Sequence, residues 1–227
     1  MADTMAGSGA DGGAAEVGSA IERDLSLERA SSRGAYWTGA RLFVALSAMA
    51  FGAGLFAYFY LHSLDNNTLW RTPGQRPSDF ISVTVLVMTL VGAALYWWFT
   101  RQMLAGGSNS ADWRVATGVA SALFFVAALI QFWGMRRTGF FPGSSGYASV
   151  YVALMPLFGV YCLGAAYWLE TLLARSIRVR WVVSPEGSNL DSPQRVTFAG
   201  SAEGAKLFVA FMALVSIVLF VLFSIVS

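Results

Sequence analysis

The sequence predicts an all-α integral membrane bundle of five transmembrane helices, with the N-terminus in the cytoplasm and the C-terminus outside. Of the 227 residues, 56% are hydrophobic and 12% are charged. Soluble chains usually have about 45–50% apolar and about 25% charged residues. The chain also contains five uninterrupted apolar runs, and its positive residues are unevenly distributed between the two sides of those runs.

The five apolar runs are each long enough to cross a hydrocarbon core of about 30 Å, which takes about 20 residues. They place the spans at about 36–61, 79–100, 113–135, 147–173 and 205–226. Charged or turn-forming residues bound each run. The runs are apolar on all faces and lack the period-two alternation of barrel strands, so they are predicted to be helices.

These spans form one transmembrane domain over residues 35–227, with the longest connection at 174–204. That connection lies on the cytoplasmic side in the predicted topology. Within it, residues 178–183 read Arg-Val-Arg-Trp-Val-Val, which is compatible with a short strand or with a stretch lying at the membrane surface.

The distribution of Arg and Lys near the span ends predicts the orientation, because cytoplasmic loops carry an excess of positive residues. On the N-terminal side lie Arg23, Arg29, Arg33, Arg41, Arg101, Arg114, Arg175, Arg178, Arg180, Arg195 and Lys206. On the other side lie Arg71, Arg76, Arg136 and Arg137. The richer side is assigned to the cytoplasm.

Residues 1–34 precede the first span and are predicted to be a flexible cytoplasmic tail. Residues 1–20 are small, Gly/Ala-rich and polar, and they lack the apolar core of a signal peptide. Residues 21–33 mix charges with a few apolar side chains. They are compatible with a solvated helical segment, or with a short amphipathic helix at the lipid headgroups or on a partner.

Several classes of function are disfavoured by what the chain lacks. The net charge of +2 gives no basis for nucleic-acid binding. A single cysteine, Cys162, excludes an internal disulfide framework, and a single histidine, His62, cannot build a metal site without other ligands. No ionisable residue falls near the middle of a span, where transporters and proton relays need one. We therefore predict no catalytic, cofactor-binding or metal-binding residue in this chain.

Small residues suggest where the helices approach one another. Small-xxx-small spacing lets two backbones pack closely. The candidates for helix packing are Gly52, Gly54, Gly118, Gly159 and Gly164. Pro156 lies within the fourth span and is expected to kink it. Such a kink either opens a cleft for lipid or only adjusts the packing.

The order and spacing of the five spans resemble subunit III of the haem-copper oxidases in its five-helix bacterial form. The stretch 124–154 is similar to the family's third helix, its Gly/Pro/Ser loop and the entry to its fourth helix, including Gly146, Tyr147 and Ser149. The stretch 41–62 is similar to the family's first helix. The resemblance covers about residues 36–226.

The chain departs from the family at its buried polar positions. Where the resemblance would place the family's acids, histidines and last-span polar pattern, this chain has Ala48, Ala128, Gln131, Phe158, Tyr161, Ala210 and Ala213. Each substitution replaces an ionisable group by a neutral one. The chain therefore resembles a divergent member of the family.

The resemblance implies a non-catalytic subunit of an aerobic cytochrome c or quinol oxidase in a bacterial cell membrane. Such a subunit packs on oxidase subunit I, with subunit II nearby, alone or within a respiratory supercomplex. It holds structural phospholipids and supports oxygen reduction and proton pumping, while haem and copper belong to the partner subunits. Two alternatives are a subunit III-like accessory protein of nitric oxide reductase and a small membrane transporter. The transporter is disfavoured because the spans show no internal repeat.

Overall fold

The computed structural model describes residues 10–64, 70–72, 75–106, 110–178 and 193–226. Over this part of the chain the fold is helical and contains no strand, which confirms the all-α prediction. The helices are α1 (Ala10–Ser63), α2 (Asp79–Leu104), α3 (Ser110–Thr138), α4 (Gly146–Arg178) and α5 (Pro193–Phe220). A π-helical turn, Val221–Ile225, continues α5.

All five helices are long and apolar enough to cross a membrane. The qualifying segments are Gly34–Ser63, Asp79–Leu104, Ala111–Thr138, Gly146–Ile177 and Thr197–Ile225. The prediction of five spans is therefore confirmed for the described residues. Which terminus faces the cytoplasm stays a prediction.

The helices extend beyond the apolar runs that predicted them. α1 begins at Ala10, α4 continues to Arg178, and α5 begins at Pro193 rather than near residue 205. Backbone hydrogen bonds continue through polar residues once a helix has left the membrane, so hydropathy underestimates helix length. The connection predicted at 174–204 is correspondingly shorter, and residues 179–192 lie outside the described residues.

In the N-terminal region, residues 10–20 are helical although no helix was predicted there, whereas both interpretations of residues 21–33 predicted a helix. From Ala10 onward its backbone is helical and continuous with the first span. At 1.5 Å per residue, residues 10–33 add about 36 Å of helix ahead of the membrane. Flexibility of this region stays a prediction, and residues 1–9 lie outside the described part.

The five helices form one bundle in which α4 and α5 are the most enclosed. α1 packs on α5 and α4, α2 packs on α3 and α5, and α4 also contacts both α3 and α5. In the apolar 18-residue stretch that marks each span, half of the residues are buried in α4 and in α5, against 17% in α1. α1 therefore turns most of its surface outward, with an exposed stripe of Leu42, Leu46, Met49, Phe56 and Tyr60.

Glycines set several of the closest helix approaches. A Cβ added at Gly54 would overlap the Leu154 side chain of α4, and one at Gly159 would lie 2.8 Å from Phe132 of α3. At Gly118 the nearest atom would be 3.5 Å away, an ordinary contact. Two other packing candidates, Gly52 and Gly164, face open space with nothing within 4 Å.

Four further glycines make close contacts that the sequence did not single out. A Cβ at Gly134 would lie 2.9 Å from Ile81, and one at Gly92 would lie 3.3 Å from Phe124. At the helix ends, Gly146 faces Trp70 and Gly204 faces Ala40, each at 2.9 Å. Gly92 and Gly146 belong to no small-xxx-small pair, and Gly204 pairs with Gly200 only outside the predicted fifth span. The partner across each interface is set by the tertiary fold.

An aromatic cluster closes the end of the bundle at which α1, α3 and α5 finish. The Tyr58 ring packs against Trp70 and Phe223 with centroids 4.8 and 5.7 Å apart, and Tyr147 packs against Phe223 at 5.6 Å. The Tyr58 hydroxyl donates to the Leu222 carbonyl at 3.3 Å, and the Tyr147 hydroxyl donates to the Phe223 carbonyl at 3.1 Å. These bonds satisfy carbonyls in the last turn of the α5 helix, which otherwise lack partners.

Polar side chains tie the loops at this end to the start of α4. Ser145 caps α4, since its Oγ accepts a hydrogen bond from the Ala148 amide at 3.0 Å. The Ser145 hydroxyl also donates to the Gln75 side-chain oxygen at 2.7 Å, and the Gln75 amide donates to Ser144 Oγ at 3.2 Å. The first and third loops are thus held together over the helix end.

Tryptophans near the ends of membrane spans usually form a belt facing the lipid interface, and Trp113 departs from this rule. Trp97, Trp98 and Trp133 are exposed, as a belt facing the lipid interface requires. Trp113 instead is fully buried, and its indole N–H donates to Thr100 Oγ1 at 3.0 Å. Trp113 also lies near a span end, but it packs between helices. The position of a tryptophan in the sequence therefore does not show whether it faces the lipid.

Candidate functional site

A groove of about 500 Å³ opens on the side of the bundle between α1, α4 and α5. It lies in the half of the bundle at which α2 and α4 finish, the half predicted to face the cytoplasm. Its lining residues are Phe43, Val160, Tyr161, Gly164, Tyr167, Trp168, Thr171 and Phe208. We call this feature the lateral groove.

The lateral groove exists because one position on α4 has no side chain and aromatic rings surround it. Gly164 has no atom within 4 Å of where its Cβ would be. Phe43 of α1 and Phe208 of α5 contact each other with centroids 5.2 Å apart, and Tyr161 lies 6.2 Å from Phe43. Trp168 completes the wall, 5.8 Å from Phe208. Three helices thus contribute to one aromatic surface.

Most polar atoms of the lining are directed into the protein. The Trp168 indole N–H donates to Ser201 Oγ at 3.4 Å, and the Thr171 hydroxyl donates to the Trp168 carbonyl at 2.7 Å. The Tyr161 hydroxyl makes no hydrogen bond to the described residues. The groove therefore offers an apolar surface with two phenolic hydroxyls, those of Tyr161 and of the exposed Tyr167, which suits a hydrocarbon ligand with a polar group at its end.

Positive residues stand at the same end as the lateral groove. Arg41 is two residues before Phe43 on α1, and Arg175 is four residues after Thr171 on α4; both are exposed. The Arg41 guanidinium lies over the Trp37 ring at 4.5 Å from its centroid. Guanidinium groups at a membrane surface are suited to bind phosphate.

The seven positions at which the chain departs from the oxidase subunit III pattern do not form one site. Ala128, Gln131 and Phe158 are buried in the core, Ala48 is exposed on α1, Tyr161 lines the lateral groove, and Ala210 and Ala213 are half-buried on α5. Gln131 and Phe158 meet at a second, smaller cavity. Pro156 lies within α4, which remains helical on both sides of it.

Nothing in the described part of the chain forms a site for acid–base or metal chemistry. Among these residues, no group of three or more His, Cys, Asp or Glu could hold a metal ion. Cys162 is free and buried in α4. The arrangement that remains is a binding surface for an apolar molecule.

Sequence reasoning identified Tyr161 and Gly164 but not the lateral groove itself. Phe43, Trp168 and Phe208 were each part of an apolar run with no distinguishing feature. A local signal was present on α4, where Gly164 has aromatic residues three or four positions away on both sides. Such spacing places a gap between rings on one helix face. The contributions of α1 and α5 depend on tertiary packing.

The chain matches no model of a known protein family and no curated protein sequence. The similarity to oxidase subunit III consequently rests on residues 41–62 and 124–154 and on the order of the spans.

Proposed function

We propose that this chain is a non-catalytic, subunit III-like component of a haem-copper terminal oxidase in a bacterial cell membrane. In this role it packs on the catalytic subunit and holds phospholipid beside it. The lateral groove is the observation that carries the proposal, because it is an apolar surface of about 500 Å³ that opens on the side of the bundle, where lipid would lie. The five spans and the order of their features support the same assignment.

A phospholipid fits the lateral groove by shape and by charge. One acyl chain would lie between Phe43, Phe208 and the gap at Gly164. Lipid tails are as apolar as the groove, so burial alone favours no binding, and the selectivity must come from packing and polar contacts. The phosphate would lie at the same end of the bundle as Arg175, an exposed guanidinium one turn beyond Thr171 on α4.

The exposed apolar surface of α1 supports the proposal that this chain packs against a larger protein. Only 17% of the apolar 18-residue stretch in its span is buried against the rest of the chain. A free face of this kind is covered either by lipid or by a neighbouring subunit. In the proposed complex the catalytic subunit covers part of this face. Haem and copper are bound by that subunit rather than by this chain.

Native purification tests the proposed function. The chain, tagged at its N-terminus, is extracted in mild detergent, and the co-purifying chains and the reduced-minus-oxidised spectrum are recorded. We expect a haem-copper catalytic subunit, a haem spectrum and cyanide-sensitive oxygen consumption. Nitric oxide consumption instead would assign the chain to a nitric oxide reductase. Purification without any haem-bearing partner would overturn the proposal.

A further inference from the structure

A second cavity, of about 30 Å³, lies inside the bundle among α2, α3, α4 and α5. Its polar lining consists of Ser82, Gln131, Tyr151, Ser216 and Ser224. We call it the polar cavity. It lies near the end of the bundle that the aromatic cluster closes. Gln131 is seven residues before the end of α3, which places the cavity about 10 Å inside that end.

Gln131 is the most polar of these side chains, and it is 5% exposed. Its amide has two N–H donors and an oxygen with two lone pairs. Among the described residues, the side-chain group that interacts with this amide is the Tyr151 hydroxyl of α4. An amide buried in a membrane bundle with most of its hydrogen-bonding capacity unused is costly, unless another molecule completes its hydrogen bonds.

Ser224 presents a second unsatisfied group at the same cavity. Its Oγ is buried and has no hydrogen-bond partner among the described residues. Ser224 lies in the π-helical turn that follows α5. About two turns earlier on the same helix, Ser216 Oγ donates to the Ala213 carbonyl at 2.8 Å and accepts from Thr89 Oγ1 at 2.9 Å. One lone pair of Ser216 is then left for a further donor.

The size and chemistry of the polar cavity identify its occupant. A water molecule needs about 10–15 Å³ of accessible volume and two to four polar partners. The cavity provides about 30 Å³ together with the Gln131 amide and the Ser224 and Ser216 hydroxyls. Cavities lined only by aliphatic and aromatic groups stay dry, but this one is lined by five polar side chains.

We propose that the polar cavity is a buried water site, holding about one or two water molecules that bridge Gln131 of α3 to Ser224 and Ser216 at the end of α5. Direct hydrogen bonds between these helices are replaced by water-mediated ones, which are nearly as favourable. The site links α3 to α5, two helices that are not close packing partners. It is separate from the lateral groove and does not depend on the proposed function.

Water-edited solid-state NMR of the full chain in phospholipid bilayers tests the site directly. Magnetisation transfer from water to the Gln131 side-chain amide is measured, with the exposed Ser63 as the reference for bulk contact. We expect transfer to Gln131 and to Ser224, although both lie inside the bundle. Transfer to Ser63 with none to Gln131 would show a dry cavity and overturn the proposal.

Removing the Ser224 hydroxyl gives a second test, in which a hydrated cavity and a dry cavity predict opposite shifts of the midpoint of thermal unfolding. If water binds there, Ser224→Ala loses a hydrogen bond and should lower the midpoint of thermal unfolding by a few degrees. If the cavity is dry, the same change removes an unsatisfied buried hydroxyl and should raise it. Ser47→Ala is the matched control, because Ser47 is buried elsewhere and donates to the Phe43 carbonyl of its own helix at 2.7 Å. A midpoint for Ser224→Ala at or above that of the native chain would contradict the proposal.

Discussion

Gly52 and Gly54 lie two residues apart on α1 and have different surroundings. Gly54 faces α4, where the Leu154 side chain occupies the space that a Cβ would need. Gly52 faces outward with nothing within 4 Å. Both belong to small-xxx-small pairs, so the sequence pattern treats them alike. Which of them packs depends on how α1 is rotated against α4, and that rotation is set by the whole interface.

Alanine substitution should separate these two glycines. Gly54→Ala pushes α1 away from Leu154 or displaces that side chain, and overpacking of this kind typically costs about 1–3 kcal/mol. Gly52→Ala adds a methyl group to an open helix face and should be neutral or slightly stabilising, because Ala favours helix more than Gly. Thermal unfolding of both variants in the same detergent measures the difference.

The contact between α1 and α4 at Gly54 can be tested by shortening the Leu154 side chain. In the double variant Gly54→Ala with Leu154→Ala, the added methyl group no longer meets the Leu154 side chain. The effect of Gly54→Ala in this background should then be smaller than in the native chain. Equal effects of Gly54→Ala in the two backgrounds would show that the contact with Leu154 is not the cause.

At the scale of single helices, hydropathy predicted where the chain enters the membrane but not where each helix ends. The cores of the five predicted spans all fall within helices. The apolar run of the fifth span gave no indication that its helix begins at Pro193, since most of residues 194–204 are polar or small. Proline fits the first turn of a helix, because the N–H that it lacks has no partner there. Turn and cap chemistry, rather than hydropathy, therefore marks that end.

The lateral groove also belongs to this scale, because it needs three helices and one missing side chain. Gly164→Phe should fill it from the α4 side without meeting another atom at its Cβ. We expect the number of phospholipids retained per chain to fall, as measured by native mass spectrometry after delipidation. Thermal stability without added lipid should remain close to that of the native chain.

Gly52→Phe is the control for the groove variant, since it places the same ring on an open face outside the lateral groove. It should leave lipid retention unchanged. If both variants reduce retention equally, the bound lipid is a general annulus around the bundle. If neither does, the groove does not hold phospholipid.

For the molecule as a whole, an odd number of spans places the two termini on opposite sides of the membrane. The positive residues assign the N-terminal side to the cytoplasm. The structure provides a clean means of testing this, because the single native cysteine, Cys162, is buried. A cysteine introduced at an exposed position will thus react without background labelling.

Two exposed positions on α1 lie on opposite sides of its membrane span. Ser63→Cys should react with a membrane-impermeant maleimide in intact cells, because Ser63 follows the first span on the predicted outer side. Asp24→Cys precedes that span and should react only after the cells are lysed. The reverse pattern would invert the topology and would place the lateral groove in the outer half of the membrane.

The pairing of α1 with α5 has a consequence for the time course of biogenesis. The ribosome makes α1 first and α5 after the other four helices, yet these two are packing partners in the finished bundle. Until α5 emerges, α1 and α2 each lack one of their neighbours, and before α4 is made α1 stands in the bilayer without either of its main packing partners. Its strongly apolar span allows this, since a helix that satisfies its own backbone is stable in lipid. Completion of the bundle is thereby delayed until α5 has been made, and the lateral groove, which needs Phe208 of α5, forms only at that step.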